Sequence, residues 1–380
     1  MLIGVDANEA NQKNRVGVGQ FAFNVIRQLE KIDKRNSYLL YLKEPALPDL
    51  PKEREGWRYR VFGPSKLWTQ VALPLKLFTQ REKLSVFYSP SHYAPRLSPF
   101  PTVISIMDLW HHRHPEQFAK KDLYQLRKWE SYSVKRASRI VTISEFSKSE
   151  IVKIYQYPPE KIMVAYPGYE KFKVQSFDKA QDKSSKFKVE GIKQKYGIEG
   201  DYLLYLGTLQ PKKNLKGLLE AFTLVAKRNN EVNLVIAGRK GWLYGEIFQK
   251  VKDLGLADKV VFTGFVEEEE KPYLIEGAKA YILPSFYEGF GIPVAEAMAL
   301  GVPVVAANMA SLPEVGGEAA IYCNPRQTES IAAAIEKVLS LNKSQRDAII
   351  ARGRGQVKQF SWEKCARKVL ETLESLDGAN

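Results

Sequence analysis

Cysteine is almost missing from this chain: Cys323 and Cys365 are the only two in 380 residues. That excludes a disulfide framework and a cysteine-built metal cluster, and it fits a reducing cytoplasm. Histidine is scarce too. All four lie between positions 92 and 114, three of them crowded at 111, 112 and 114. Such crowding, without cysteine, argues against a metal centre. No apolar run approaches the roughly 20 residues of a membrane-spanning helix. The opening Met1-Leu-Ile-Gly-Val-Asp-Ala-Asn lacks the basic region that begins a signal peptide. It is expected to be a first strand, and the protein to be soluble or peripheral.

What is present describes a globular protein. Hydrophobic residues make up 44% and charged residues 26%, and the length suits two domains. Charge is uneven. Residues 1–195 hold 35 Lys+Arg against 20 Asp+Glu, whereas residues 196–380 hold 22 against 23. The whole positive excess sits in the first half, which implies an anionic partner: nucleic acid, an anionic membrane surface or a phosphorylated lipid.

Short apolar runs alternate with amphipathic stretches throughout. Strands are predicted at 2–5, 38–42, 86–88, 103–106, 140–143 and 162–165, then at 202–206, 233–237, 260–262, 280–283, 302–306 and 320–322. This alternation predicts an α/β protein of parallel sheets covered on both faces. The series breaks at about 171–195, a polar, Lys-rich stretch with a repeated Phe-Lys-Val. It reads as the connection between domains, with room for an inserted loop. The expected division is a first domain over 1–170, a linker over 171–195, a second domain over 196–360, and a helical tail over 361–380.

The most informative segment is Ser285-Phe-Tyr-Glu-Gly-Phe-Gly-Ile-Pro-Val-Ala-Glu-Ala-Met-Ala-Leu-Gly-Val-Pro303. Glu288 and Glu296 flank a Gly-x-Gly turn that opens a helix. Pro293 suits the first helical position, and Gly301 and Pro303 end the helix. Gly289 and Gly291 let backbone N–H groups approach a ligand, and a helix N-terminus adds positive potential. Glu296, about two turns in, is placed to accept hydrogen bonds from a diol.

This glutamate pair, eight positions apart, resembles the signature of family 4 of the retaining glycosyltransferases. The resemblance implies the GT-B fold: two Rossmann-like doubly wound domains facing across a cleft, with the tail crossing back to the first domain. It implies that Glu288 binds donor-sugar hydroxyls and that Gly289, Phe290 and Gly291 hold sugar and phosphate through N–H groups. Glu296 would hold the ribose.

Other segments agree. Gly17-Val-Gly19 follows the first strand and opens a helix; its place resembles the family's donor-facing loop. Leu206-Gly-Thr-Leu-Gln-Pro-Lys-Lys-Asn-Leu215 puts two lysines before a helix, where an ammonium neutralises a departing diphosphate. The match assigns that role to Lys213. Thr208 stands where many relatives carry arginine, so Lys212 is a candidate to share it. Ala237-Gly-Arg-Lys-Gly-Trp242 resembles a loop of a subgroup with many mannosyltransferases, and Trp242 serves either ligand or packing. Thr263-Gly-Phe-Val-Glu resembles the segment whose backbone meets the nucleobase, with Phe265 and Val266 as candidates. Glu267–Glu270 reads as a solvated capping run. Ile104-Ser-Ile-Met-Asp resembles the strand end that faces the transferred sugar, with Asp108 kept as a catalytic candidate. Met107 replaces the family's histidine there, and His111 or His112 is a candidate substitute. Ser144 reads as a helix cap.

The expected function is retaining transfer of a hexosyl group from a nucleotide diphosphate sugar to a glycan or lipid-linked acceptor hydroxyl. The segments lean toward GDP-mannose, with UDP-glucose, UDP-galactose or a GlcNAc donor open. Glu288, Lys213 and Asp108 are the catalytic candidates. Asp-x-Asp is absent from the sequence, which argues against the metal-dependent GT-A class. No cofactor or metal is expected. The stretches 67–84 and 120–139 are apolar with basic punctuation; they are either core helices with solvated faces or a peripheral contact with an anionic membrane. The expected location is cytoplasmic, with the inner face of the cell membrane open. The alternatives are a non-catalytic sugar-nucleotide-binding or regulatory protein and, with no recognisable module to support it, a nucleic-acid-binding protein.

Overall fold

The computed structural model describes residues 1–169, 183–241 and 244–378. The chain divides into two compact units. One comprises Met1–Gly168 and Phe360–Asn380, and the other Tyr169–Gln359.

The first unit is built on seven strands: β1 (Leu2–Asp6), β2 (Ser37–Leu42), β3 (Trp57–Val61), β4 (Val86–Ser89), β5 (Thr102–Ile106), β6 (Arg139–Thr142) and β7 (Ile162–Val164). All pairs are parallel, in the order β3-β2-β1-β4-β5-β6-β7. The central strands β4 and β5 are buried along their whole length, as their unbroken apolar runs require. β3 was not predicted. Its sequence, Trp-Arg-Tyr-Arg-Val, is largely exposed, because an edge strand has one neighbour and tolerates charge.

The helix Val18–Ile32 buries Phe21, Val25, Ile26 and Leu29, a spacing that puts them on one face. Against it packs the helix Trp362–Glu374, which also meets β7. Phe21 and Trp362 rings meet edge to face at 6.2 Å. Gly168 allows this approach, since a Cβ there would lie 2.2 Å from Trp362 N.

The second unit holds six strands: β8 (Asp201–Leu206), β9 (Val232–Ala237), β10 (Val260–Gly264), β11 (Ala280–Leu283), β12 (Val304–Ala307) and β13 (Ala320–Cys323). They are parallel throughout, in the order β10-β9-β8-β11-β12-β13. The doubly wound fold expected from the sequence is therefore present twice. Of the expected connection over 171–195, residues 171–182 lie outside the described residues. From Lys183 to Tyr196 the chain is helical and packs on the helix Lys271–Glu276. Among the described residues, no helix is long and apolar enough to cross a membrane.

In each sheet the strand order reverses beside the first strand, between β1 and β4 and between β8 and β11. Loops leaving the carboxyl ends of those strands diverge to opposite sides and leave a crevice.

Candidate functional site

In the second unit, both flagged loops leave this reversal point. After β8 the chain makes a tight turn, Pro211–Lys213, and starts the helix Leu215–Arg228 from Asn214 in a left-handed conformation. The Asn214 side chain donates to the carbonyl of Pro325 at 2.7 Å, which anchors the turn. After β11 the chain runs through Ser285–Gly291 into the helix Ile292–Ala299. The N–H of Phe286 donates to the carbonyl of Lys212 at 2.8 Å, so the two loops are tied.

Lys213 Nζ reaches both carboxylate oxygens of Glu288, at 2.7 and 2.8 Å. Ser285 Oγ donates to Oε1 of the same carboxylate at 2.7 Å. Ser311 Oγ donates to the carbonyls of Glu288 and Phe290, both at 2.9 Å, and fixes the turn. Glu288 is only 6% exposed. A carboxylate in such surroundings is expensive unless paired; here the lysine and serine pair it. Gly291 has φ 106°, and a Cβ there would stand 2.8 Å from Leu312 Cδ2. Only glycine meets both demands.

Glu296 is buried at 1% exposure. It lies little more than one turn into the helix Ile292–Ala299, not two, because the helix begins at Ile292. Lys271 Nζ donates to its Oε1 at 2.6 Å. Burial pushes the Lys271 ammonium down, but the charges of Glu296 and Glu268 outweigh it and hold its pKa above the usual lysine value. At the outer strand, Phe265 is largely exposed and Val266 buried. The Arg239 guanidinium lies 4.1 Å from the Phe265 ring centroid. Gly238 lets the neighbouring loops touch, since a Cβ would be 2.0 Å from the Gly207 carbonyl oxygen. Trp242 lies outside the described residues.

In the first unit, Gly17 has φ 51° and precedes the helix Val18–Ile32. Gly19 is buried, with room for no side chain beyond a tight contact to the Glu9 carbonyl oxygen. Asp6, at the end of β1, is buried; burial raises its carboxyl to about 6 despite hydrogen bonds from the N–H and amide of Asn8. Met107 and Asp108 follow β5, and Asp108 accepts from Trp110 N at 3.2 Å. Ser144 caps the helix Glu145–Tyr155 by accepting from Ser147 N.

Beside Asp108 stands a cluster that the sequence did not reveal. Glu130, on the helix Lys120–Arg136, is fully buried. His92 Nδ1 stands 2.9 Å from its Oε2, and the Tyr155 hydroxyl donates to Oε1. His112 Nε2 is 2.8 Å from the Tyr155 hydroxyl, and His111 Nε2 is 3.5 Å from Glu130 Oε1. Burial would raise the Glu130 carboxyl, but the histidine contacts hold it well below the usual range. Burial would lower His92, but Glu130 and then Asp108 raise it. His111, His112 and Glu130 bring ligand-capable atoms within 4.8 Å of one another, yet the carboxylate already accepts from Tyr155 and contacts His92.

Of the residues flagged from the sequence, the structure brings Lys213 and Glu288 together and sets Glu296 apart with Lys271. Their contacts with Lys271, Ser285 and Ser311, and the cluster of His92, Glu130 and Tyr155, were not anticipated. Ser285 stood three residues before Glu288 and was open to notice; the others meet their partners only through tertiary contacts.

Two doubly wound parallel units, one with the Lys213–Glu288 pair where its strand order reverses, are the arrangement that the GT-B fold leads one to expect. The chain belongs to the group 1 glycosyl transferases. The model described as Glycosyl transferases group 1 matches residues 188–356, and that described as Glycosyltransferase Family 4 matches residues 17–171. The O-antigen chain mannosyltransferase B of Escherichia coli is 33% identical over 296 residues, 77% of this chain and 74% of that protein. The serotype-specific mannosyltransferase WbdA of Escherichia coli is 27% identical over 245 residues, 63% of this chain but only 29% of that longer protein. Among solved structures, sucrose-phosphate synthase from Thermosynechococcus elongatus superposes with a TM-score of 0.75 at 16% identity, covering both chains fully. Anabaena HepE, solved in complex with UDP and glucose, gives 0.73 at 18% identity over 98% of this chain and 99% of its own. At such identities these two bear on the fold alone.

Proposed function

We propose that this protein is a retaining mannosyltransferase that moves a mannosyl group from GDP-mannose to a hydroxyl of a glycan or lipid-linked acceptor during polysaccharide assembly. The observation that carries the reading is the Lys213–Glu288–Ser285 cluster at the reversal point of the second sheet. The names of the similar mannosyltransferases support the sugar.

In this reading Glu288 accepts hydrogen bonds from donor-sugar hydroxyls, and the N–H groups of Gly289, Phe290 and Gly291 hold sugar and phosphate. Lys213, joined by Lys212, turns its ammonium toward the diphosphate and stabilises the charge that develops as the glycosidic bond breaks. Lysine and helix N-terminus supply this charge compensation without calling on a divalent ion. Glu296 holds the ribose hydroxyls, with Lys271 fixing its position. Phe265 and Val266 meet the base. Gly17 and Gly19 contribute from the first unit, whose Asp108 orients the sugar or the acceptor hydroxyl.

The test is thermal stabilisation by GDP, UDP, ADP, GDP-mannose and UDP-glucose, with and without EDTA. A ligand that binds only the folded state raises the melting temperature. Selective stabilisation by GDP species, unchanged by EDTA, and mannosyl transfer with retained anomeric configuration are expected. Selective stabilisation by UDP species overturns the donor. Nucleotide binding without transfer to any acceptor, unaltered in Glu288→Ala, turns the reading to a binding protein.

A further inference from the structure

One helical segment of the first unit is apolar on both sides. It runs as a π-helical turn, Trp68–Ala72, continued by the α-helix Leu73–Thr79. Trp68, Ala72, Leu73 and Leu77 point inward and join the core with Leu39, Tyr41 and Phe87. The opposite side should then be polar. Instead Leu67, Val71, Leu75 and Phe78 follow at steps of four, four and three, and are 46–61% exposed. Steps of three and four place side chains on one helical face. Leu97 extends the row, also half exposed; its neighbour Arg96 donates its N–H to the carbonyl of Thr69 at 3.4 Å. Contiguous exposed apolar surface of this kind marks an interaction site.

The charges around the row are of one sign. No Asp or Glu occurs from Gly56 to Arg81, while Arg58, Arg60, Lys66, Lys76 and Arg81 do. Arg58 and Arg60 are taken up by Glu82. That leaves Lys66 beside Leu67, Lys76 beside Leu75, and Arg81 just past Phe78. The basic helix Lys120–Arg136 adjoins, because Tyr132 donates its hydroxyl to the Arg96 carbonyl.

We propose that this face docks on an anionic bilayer leaflet, with Leu67, Val71, Leu75 and Phe78 entering the acyl boundary and Lys66, Lys76 and Arg81 meeting lipid phosphates. The proposal goes beyond the donor reading and does not depend on it. A bilayer surface supplies both chemistries in the order found here, apolar below and anionic around. A second copy would not. A two-fold contact sets the same patch against itself, and the like charges bordering it would repel.

The test is flotation of the full chain with phosphatidylcholine vesicles, with and without phosphatidylglycerol. Binding is expected only where phosphatidylglycerol is present. The double variant Leu75→Glu/Phe78→Glu should lower it by about tenfold or more. Lys76→Gln, which leaves the apolar row whole, should lower it about fivefold, the share of one basic group near an anionic surface. All three residues are solvent-facing or half-buried, so the melting temperature should hold, which separates lost docking from lost fold. Failure of the native chain to float with anionic vesicles at low salt overturns the proposal. So does undiminished binding by the double variant, or light scattering that shows a native dimer which this variant dissolves.

Discussion

The two units have the same winding and partner their buried carboxylates differently. In the second unit, buried carboxylates are met by lysines: Lys213 on Glu288 and Lys271 on Glu296. In the first, a buried carboxylate is met by neutralisable partners: His92 and Tyr155 on Glu130. Lys271 is held above the usual lysine value by Glu296 and Glu268, so that pair keeps its charges across ordinary pH. A histidine pair carries a charge that comes and goes near neutrality, and suits a site that exchanges protons or must be held neutral. Same fold, different partner residues: pH acts on the histidine-paired carboxylate and leaves the Lys271–Glu296 pair alone.

The largest expected break in that comparison is Lys271→Met. Methionine fills the space but leaves Glu296 buried without its countercharge. Breaking a buried ion pair from one side costs about 3–5 kcal/mol, so denaturant unfolding should show a loss of that order. The double variant Lys271→Met/Glu296→Met should recover much of it. A loss under about 1 kcal/mol would mean that water reaches the pair and that Glu296 is not the buried charge drawn here. Next comes Lys213→Ala. Removing one preorganised charge donor costs about 100–1000-fold in turnover, and that drop is expected in kcat for sugar transfer. Lys213→Arg should restore part of it. Unchanged kcat in Lys213→Ala would remove the lysine from the chemistry and leave it as packing for Glu288.

Much of this contrast was legible in the chain. Parallel sheets announce themselves as apolar runs, and twelve strands were found that way; β3 escaped because its two arginines and edge position hide the pattern. Glu288, Glu296 and Lys213 stood out because the segments that carry them resemble the family's motifs. Lys271 was not. It lies in a charged stretch that reads as solvated, and it meets Glu296 across 25 positions of sequence. Glu130 looked like one more charge on a basic helix, and only the fold brings His92 from 38 positions away to meet it. The outward row of Leu67, Val71, Leu75 and Phe78 is a different case. The residues were visible as apolar, but no local pattern told the inner face from the outer one.

Gly291→Ala tests the turn that both units' loops depend on in kind but only the second builds from a Gly-x-Gly pair before a helix with a buried glutamate. Alanine must adopt φ 106° and move Leu312. Strain of this sort costs about 1–3 kcal/mol, read as lower thermal stability, with loss of donor affinity if the N–H groups shift. Gly17→Ala, with φ 51° but open space around it, should cost less. Equal costs would mean that the contact with Leu312 yields freely.

The smallest expected effect is a slope, and it separates the units most directly. His92 is raised above its ordinary 6.5, so its share of stability is complete below that value and is lost as pH rises through the raised one. Glu130 is depressed far below its ordinary 4.5, so its share is present above 4.5 and lost only as pH falls through the low value. Together they contribute in full between 4.5 and 6.5. Facing His92 are Glu130, Asp108, Glu9 and the Tyr93 ring, and of these Glu130 makes the direct contact. Stability of the native chain should therefore decline as pH is raised from 6 toward 9, beyond what a variant lacking the pair shows. In Glu130→Gln that decline should flatten, whatever the variant's stability at pH 6. Lys271, raised above 10.5, gives no slope of its own in this range, so the double variant Lys271→Met/Glu296→Met, which leaves no unpaired carboxyl behind, should shift the whole curve without changing its shape. A flattened slope in that double variant, or an unaltered one in Glu130→Gln, would erase the distinction between a lysine-paired and a histidine-paired unit.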